Sequence, residues 1–160
     1  MPSYLETAVE IAREAGGLLA TFFERRVPFE LKGENDLVTE ADRASERLIV
    51  ERLRTHFPSH AVVAEEGGGH ESASGYRWYV DPLDGTTNFA HSFPVFNVTL
   101  ALEAEGQLVA GVIFDPIKNE LFTAERGAGS YLNNRRIRVS QTRQLTDAWW
   151  PPGFPAASGI

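Results

Sequence analysis

The segment 78–89, WYVDPLDGTTNF, carries the carboxylates best placed to do chemistry. The apolar residues before Asp81 are typical of a buried strand, and Asp84 follows on a turn braced by proline. Two carboxylates with this spacing can face one point, and the carbonyl of Leu83 between them can supply a third oxygen. Mg²⁺ prefers hard oxygen ligands together with water and substrate phosphate. The pattern therefore favours a divalent-cation site, with a plain Asx-type turn as the alternative.

Gly85 and Thr86 follow the acidic pair directly. Glycine allows the backbone to approach an anion closely, and exposed amides in such a turn can donate to phosphate oxygens, especially where a helix begins. A capping threonine after an Asx-type turn is the structural alternative. Because the segment follows an apolar strand and lies near further acidic residues, we favour phosphate binding. Asn88 and Phe89 are expected to brace the loop, and His91 to pack in the turn.

A second acidic segment, Glu65-Glu66 followed by three glycines, also comes directly after a predicted strand. Glu65 could complete a metal site and help to polarise a water, whereas the alternative is a charged loop tip with flexible glycines. A third segment, DLVTEAD at 36–42, is explained by helix capping through Thr39 and Asp42. Taken alone, this third segment predicts no function.

Several other chemistries are excluded by what the sequence lacks. There is no cysteine, which excludes disulfides, thiolate zinc sites and thiol nucleophiles. There is also no serine in a nucleophile elbow, no Walker-type glycine loop ending in lysine and no His-Glu-x-x-His motif. These absences favour a metal-activated water over a covalent intermediate.

The formal net charge of −7 argues against nucleic acid as the main partner, because nucleic-acid sites need a basic stripe. In residues 65–84, five acidic residues stand against one arginine. A solvated acidic surface explains this, and so does a cation site, since converging carboxylates repel unless a metal or a proton separates them. No apolar run approaches the roughly 18 residues of a membrane span. The acidic segment 1–10 does not resemble a secretory signal, so we expect no membrane partner and a cytoplasmic location.

Hydrophobic periodicity predicts two helices, over 3–26 and about 40–57, separated by a polar loop at 32–37. Thr39 gives the second helix a start resembling a capping box, and Pro58 ends it. The strands predicted after Pro58 are 61–64, 78–80, 95–102, 108–114, 120–124 and 137–139. Two helices followed by an antiparallel meander indicate an α+β fold, with the helices packed on one face of a mostly antiparallel sheet.

Three motifs in this order resemble those of the inositol monophosphatase family: DLVTEAD at 36–42, the glutamate pair at 65–66 and DPLDGTTNF at 81–89. The resemblance runs from the first helix through the Gly-Phe-Pro segment at 153–155. It implies the N-terminal part of a layered, fructose-bisphosphatase-like fold. The implied activity is Mg²⁺-dependent hydrolysis of inositol 1-phosphate or a related small polyol or sugar phosphate by a metal-activated water. Fructose-1,6-bisphosphatase or nucleotide phosphatase specificity is the alternative within the family.

The resemblance also implies a set of metal ligands. Glu65, Asp81 and the Leu83 carbonyl would hold a first Mg²⁺, and Asp81 and Asp84 would contribute to a second. Two such ions, roughly 3.5–4 Å apart, clamp the attacking and leaving oxygens of an in-line displacement.

Further roles follow from the same resemblance. Glu65 and Thr86 would orient the attacking water, while the amides of Gly85 and Thr86 would hold the phosphate. Asp42 and Lys32 would support the site from behind the ligands.

We divide the chain into a metal- and phosphate-binding domain at 1–148 and an irregular tail at 149–160. The tail begins Trp-Trp-Pro-Pro, unlike the strand usual in the family, and is expected to be the truncated start of a missing C-terminal half. In the family that half supplies a Trp-Asp motif whose aspartate completes the second metal site. The alternative function is therefore a catalytically defective metal-binding fragment or an interaction module. Because the missing half would otherwise cover one face of the sheet, we also expect self-association as a homo-oligomer.

Overall fold

The computed structural model describes residues 3–25, 34–65, 67 and 69–147. Helix α1 (Tyr4–Glu24) begins at a capping box, in which the Ser3 hydroxyl accepts from the Glu6 N–H and the Glu6 carboxylate accepts from the Ser3 N–H. Its buried side chains recur at three- and four-residue steps, as on one face of an amphipathic helix. The helix predicted over 3–26 is confirmed over 4–24.

Helix α2 (Glu34–His56) begins earlier than the sequence predicts. The loop expected at 32–37 is wrong from residue 34 onward, and Thr39 and Asp42 both lie inside the helix instead of capping it. Acidic residues are favoured in a first helical turn because they complement the helix dipole, and the stretch interpreted as a polar loop has that composition. Lys32 and the rest of 26–33 lie outside the described residues.

In the part of the chain that the structure describes, seven strands form one sheet in the order in which they occur along the sequence. They are β1 (Ala61–Ala64), β2 (Tyr76–Asp84), β3 (Asn97–Ala104), β4 (Gln107–Asp115), β5 (Glu120–Glu125), β6 (Gly129–Leu132) and β7 (Arg135–Ile137). β1 pairs with β2 in parallel, and every later pair is antiparallel. Helix α3 (Thr86–Ala90) follows β2, and a 3₁₀ turn covers Leu145–Asp147. The α+β prediction of two helices on a mostly antiparallel sheet is confirmed.

The last two strands differ from the prediction. The hairpin tip that the sequence predicts at Asn133-Asn134 is confirmed. The strand before it, β6, was not given bounds, and β7 covers 135–137 instead of 137–139. The turn between them has positive φ at both Asn133 (46°) and Asn134 (66°), as a tight hairpin turn requires. Because the turn sets the register of the hairpin, pairing with β6 already begins at Arg135.

Both helices contact the sheet and bury the hydrophobic core against it. The core includes Ala8, Ile11, Ala15, Leu19, Ile49, Leu53, Trp78, Val80, Val98, Leu100, Leu102, Val112 and Phe114. α1 approaches β4 closely at Gly16, where a Cβ would lie 2.6 Å from the Phe114 ring. The glycine that interrupts the helical pattern in the sequence is therefore required for packing. Glu14 and Arg52 join the two helices through a bidentate ion pair.

The face of the sheet opposite the helices, which we call the outer face, carries half-exposed apolar side chains. Val63, Tyr79, Ile113 and Ile137 share this face by strand register and are 37–42% exposed. Ile113 and Ile137 also line a largely apolar groove of about 380 Å³. No helix among the described residues is both long enough and apolar enough to cross a membrane.

Candidate active site

Strand β2 carries the acidic pair into the site through a β-bulge. Asp81 lies opposite Thr99 and Asp84 lies opposite Asn97, so β2 has one residue more than β3 between these two pairs. The strand continues to Asp84, whereas the sequence indicated a turn directly after Asp81. A bulge bends a strand and changes the direction of its side chains. Leu83, within this bulge, is fully buried. The bulge therefore performs the role that the sequence assigned to a proline-braced turn.

The parallel pairing of β1 with β2 places Glu65 beside Asp81. Ala64 lies opposite Val80 in the register, and Glu65 and Asp81 are the next residues along the two strands. Glu65 is near enough for its negative charge to raise the pKa of the Asp81 carboxyl. Glu65 is exposed in the turn after β1, and Glu66 lies outside the described residues.

Asp81 is in an environment that disfavours its charge. Burial, together with the negative charges of Glu65 and Asp84, raises the pKa of Asp81 to about 6. A hydrogen bond of 3.2 Å from the Leu83 N–H to Asp81 Oδ1 offsets part of this effect. That bond is the Asx-type turn considered above, so the turn and the crowded carboxylates occur together. Asp81 therefore gains from any proton or cation that reduces the local negative charge.

Asp84 is held by polar side chains from β3. Thr99 Oγ1 donates to Asn97 Oδ1 at 2.8 Å, and Asn97 Nδ2 donates to Asp84 Oδ2 at 3.1 Å. Neither partner was predicted from the sequence. The available signal was their spacing of two residues in a predicted strand, which places both side chains on one face. This chain of hydrogen bonds fixes the orientation of the otherwise exposed Asp84 carboxylate.

Helix α3 begins directly after the acidic pair. Gly85 precedes it with φ of 94°, and a Cβ at this position would lie 3.0 Å from the Val95 carbonyl oxygen. Both features require glycine. The exposed Thr86 donates its hydroxyl to the Leu83 carbonyl oxygen at 3.0 Å. The first N–H groups of a helix have no partner within the helix, so the backbone at this turn is suited to an anion.

The segment after α3 is braced by the residues expected to do so. Asn88 Nδ2 donates to the Val95 carbonyl oxygen at 2.8 Å. Phe89 is buried and packs its ring against Phe96. His91 lies at the C-terminal end of α3 and is exposed. These contacts hold Gly85 and the start of α3 against the sheet.

Helix α2 supports the bulge from the core side. Ser45 Oγ donates to the Pro82 carbonyl oxygen over 2.9 Å in a buried contact. Asp42, one turn earlier on α2, is also buried, and its supporting role stays a prediction. Ser45 was missed in the sequence, although its position three residues after Asp42 places it on the same helical face. The predicted contribution of Lys32 lies outside the described residues.

Comparison with known proteins identifies the family. A family model described as the inositol monophosphatase family matches residues 1–156. The chain belongs to the inositol monophosphatase family. The resemblance stated from the three motifs is thereby confirmed.

Members of this family with known sequences and structures match most of the chain. Nus factor SuhB of Pasteurella multocida is 44% identical over 158 residues, which cover 97% of this chain and 59% of the relative. The extragenic suppressor protein suhB of Bartonella henselae has a TM-score of 0.79 at 42% identity, over 88% of this chain and 56% of that one. Inositol monophosphatase from Anabaena (Nostoc) has a TM-score of 0.77 at 40% identity, over 89% and 51%. The chain thus spans just over half the length of these relatives.

The oxygen donors of the site suit the Mg²⁺ that the family resemblance implies. Glu65, Asp81, Asp84 and the Leu83 carbonyl are all hard donors, and the raised pKa of Asp81 shows that a nearby positive charge would be favourable. Among the residues that the structure describes, no three acidic or histidine side chains are arranged to hold a metal ion. Mutual repulsion opposes a closer approach of the carboxylates. We therefore interpret these residues as potential ligands that would move closer together when a cation binds.

Proposed function

We propose that this chain hydrolyses a phosphate monoester in a Mg²⁺-dependent reaction. One observation supports this best: Asp81, with its pKa raised to about 6, is crowded by Glu65 and Asp84 immediately before the first turn of α3. A cation at the carboxylates and a phosphate at the adjacent turn would each reduce the electrostatic cost of the other. Family membership and the similarity to a solved inositol monophosphatase support the same reaction class.

In this proposal the metal ligands are Glu65, Asp81 and the Leu83 carbonyl, with Asp81 and Asp84 contributing to a second ion. Bound Mg²⁺ would supply a water of lowered pKa and neutralise charge on the phosphate oxygens. The Leu83 carbonyl already accepts from Thr86, and its second lone pair can serve a cation. Asn97 keeps the Asp84 carboxylate oriented before any ligand arrives.

The remaining residues would handle the water and the phosphate. Glu65 and Thr86 would orient the attacking water, because their polar groups are exposed on either side of the acidic pair. The N–H groups of Gly85 and Thr86 would donate to the phosphate oxygens, where charge develops in the transition state. Asp42 and Lys32 would stabilise these ligands from behind.

The substrate we propose is inositol 1-phosphate or a related small polyol or sugar phosphate. Support comes from the family and from the named activity of the Anabaena relative, inositol monophosphatase. Fructose 1,6-bisphosphate and nucleotide phosphates are the competing substrates within the same fold. A panel of these phosphates at equal concentration would rank them directly.

A second candidate function is an interaction module that retains the metal site but turns over little substrate. The observation in its favour is the name of the 44% identical relative from Pasteurella multocida, Nus factor SuhB, which describes a factor and not an enzyme. This candidate predicts weak Mg²⁺ binding and strongly reduced turnover.

Phosphate release from inositol 1-phosphate, measured on the 160-residue chain with and without Mg²⁺, separates the two candidates. The control is Asp81→Asn, which keeps the size of the side chain and removes its charge. Mg²⁺-dependent release that the control lacks would support the phosphatase. If folded wild-type protein releases no more phosphate than the control, the phosphatase proposal is wrong for this chain and the interaction module remains.

A further inference from the structure

The segment 126–143 is strongly basic within an acidic chain. It holds five of the chain's 15 basic residues and none of its 22 acidic residues. The five are Arg126, Arg135, Arg136, Arg138 and Arg143, and all are exposed. A net charge of −7 for the whole chain conceals this segment, because net charge sums over every surface whereas a ligand responds to the local field.

Within the part of the chain that the structure describes, Arg135 and Arg136 lie on the strand at one edge of the sheet, Arg126 lies in the turn between β5 and β6, and Arg138 and Arg143 follow β7. β7 is the terminal strand, and its consecutive residues Arg135 and Arg136 point to opposite faces, so positive charge lies on both sides of the edge. The Arg136 guanidinium packs over Gly129, where an added Cβ would lie only 3.0 Å from it. Arg126 Nε donates to the Leu108 carbonyl oxygen at 3.0 Å.

Arg126 and Arg136 also line the same open groove of about 610 Å³ at the ends of β4, β5 and β6. Much of the remaining lining is alanine and glycine, which leaves the backbone open to approach. Glu125 is the carboxylate in that lining, so the two arginines outnumber it. We call the five arginines and this groove the basic edge.

The charge of the basic edge is not neutralised within the part of the chain that the structure describes. The ion pairs found among those residues join Arg52 to Glu14, Arg77 to Glu71 and Lys118 to Asp115, and none includes an arginine of the basic edge. Exposed guanidinium groups without carboxylate partners attract a polyanion. Arginine is also the side chain best suited to phosphate, because its planar fork donates two hydrogen bonds at once.

Protection against edge-to-edge strand pairing is a simpler explanation for charge on a terminal strand. It accounts for Arg135 and Arg136 on β7. It does not account for Arg126 in the turn between β5 and β6, or for Arg138 and Arg143 beyond the last strand. It also does not account for the lack of a single acidic residue across the whole segment.

We propose that the basic edge binds single-stranded nucleic acid through its phosphodiester backbone. Tyr131 lies opposite Arg136 in the β6–β7 pairing, so an aromatic residue and an arginine are neighbours across the two strands. Sites for single strands combine positive charge with aromatic side chains on which unpaired bases stack. Among the described residues of this segment there is no α-helix that could enter the groove of a duplex. The proposal replaces the expectation, based on net charge alone, that nucleic acid is not a partner.

The test is fluorescence anisotropy with a fluorescein-labelled 20-nucleotide single-stranded RNA of mixed sequence. If the five arginines contact phosphates, wild-type affinity falls on the order of 100-fold between 50 and 200 mM NaCl. The variant R135Q/R138Q removes two contacts. Its affinity at 50 mM is expected to be at least tenfold weaker, with a fall of only about 20-fold over the same salt range.

The matched control is R43Q/R47Q, which removes two exposed arginines from α2 on another part of the molecule. It is expected to bind RNA like the wild type, and both variants should keep the wild-type thermal midpoint. Equal weakening in the two variants would show that binding is diffuse and would refute the basic edge as the site. Absence of binding by wild type at 50 mM NaCl would refute it as well.

Two competitors decide between classes of partner. Unlabelled poly-glutamate, added at the same charge concentration as unlabelled RNA, should displace the labelled RNA much less effectively. Equal displacement would mean that the edge takes any acidic polymer, and the nucleic-acid proposal would then be wrong. Double-stranded DNA of equal length should also compete less well than single-stranded RNA, and stronger competition would contradict the preference for single strands.

Discussion

The Ser45 hydroxyl donates a hydrogen bond to the Pro82 carbonyl oxygen, and this buried contact of 2.9 Å ties α2 to the bulge of β2. Pro82 lies between the two aspartates of the acidic pair, so the position of that pair depends on a helix 37 residues away in sequence. A bulge interrupts regular strand pairing and leaves a carbonyl in need of a donor. Ser45 supplies that donor from the core.

Ser45→Ala is expected to lower the free energy of unfolding by about 1–3 kcal/mol, because it leaves a buried carbonyl without its donor. Urea denaturation followed by Trp fluorescence would measure this. Thr55→Ala is a matched control, since Thr55 is also on α2 and its hydroxyl also donates to a backbone carbonyl, that of Glu51, but in an exposed contact. Its loss should lower the free energy of unfolding by less than about 0.5 kcal/mol. Equal effects of the two substitutions would show that the Ser45 contact adds nothing to the bulge.

Asp81→Asn is expected to stabilise the Mg²⁺-free protein at pH 7.5. The pKa of Asp81 is raised to about 6, so its ionisation in the folded state costs stability as pH rises from about 4 through 6. Removing the charge should raise the free energy of unfolding by about 1–2 kcal/mol. This is less than the full pKa shift of Asp81 would give, because solvent reaches part of the site. Below pH 4 the two proteins should be equally stable.

The same variant should fail to respond to Mg²⁺. Thermal unfolding with 10 mM MgCl₂ should raise the midpoint of the wild type, since a ligand that binds only the folded state stabilises it. The midpoint of Asp81→Asn should stay where it was. A similar rise in both proteins would show that Asp81 is not a ligand.

Gly85→Ala is expected to destabilise the turn before α3 by about 1–3 kcal/mol, because φ is 94° and a Cβ would press on the Val95 carbonyl. Gly106→Ala is the control, since Gly106 also has a positive φ of 75° but has nothing within 4 Å of the added Cβ. Chemical denaturation should show the larger loss at position 85. Similar losses at both positions would assign the whole effect to φ and none to the contact with Val95.

His60 should make stability depend on pH independently of the metal site. It is buried, accepts a hydrogen bond from the Trp78 indole at Nδ1, and stacks on Tyr76. Burial lowers the pKa of His60, so the unfolded chain binds a proton that the folded protein does not. The contribution of His60 to the free energy of unfolding should therefore be complete above pH 6.5 and fall below it, by up to about 1.4 kcal/mol per pH unit.

Unfolding curves of Asp81→Asn between pH 5 and 7 would measure this slope, because Asp81 would otherwise titrate in the same range with the opposite effect on stability. His60→Gln should remove it, because glutamine does not titrate, whereas the exposed His91→Gln should retain it. If the slope survives in His60→Gln, another group is responsible for the pH dependence.

The outer face of the sheet should drive self-association of the 160-residue chain. Ile113 is 42% exposed in the middle of that face, and it lines the apolar groove. Sedimentation velocity of the wild type should shift with concentration, and Ile113→Glu should sediment as a monomer. Val139→Glu is the control, because Val139 is 94% exposed and does not line that groove. A wild-type monomer at every concentration would contradict the prediction.

The sequence was sufficient for the features that depend on local pattern. Periodicity of 3.6 located α1, and short apolar runs located most strands, because both patterns reflect which side chains must leave water. It failed at the start of α2, since the acidic residues of 34–37 suit a loop and a first helical turn equally well. It also gave no bounds for β6, whose pairing is set by the turn that follows it.

The types and order of the candidate ligands were determined by the sequence, because a carboxylate or a glycine keeps its chemistry wherever it lies. Only the tertiary structure decided that Glu65 stands beside Asp81, since that proximity comes from the parallel register of β1 on β2. Only the tertiary structure could supply Ser45 and Asn97 as supports, because each acts across a contact between separate elements. Such contacts depend on packing between distant segments, and no local spacing encodes that packing.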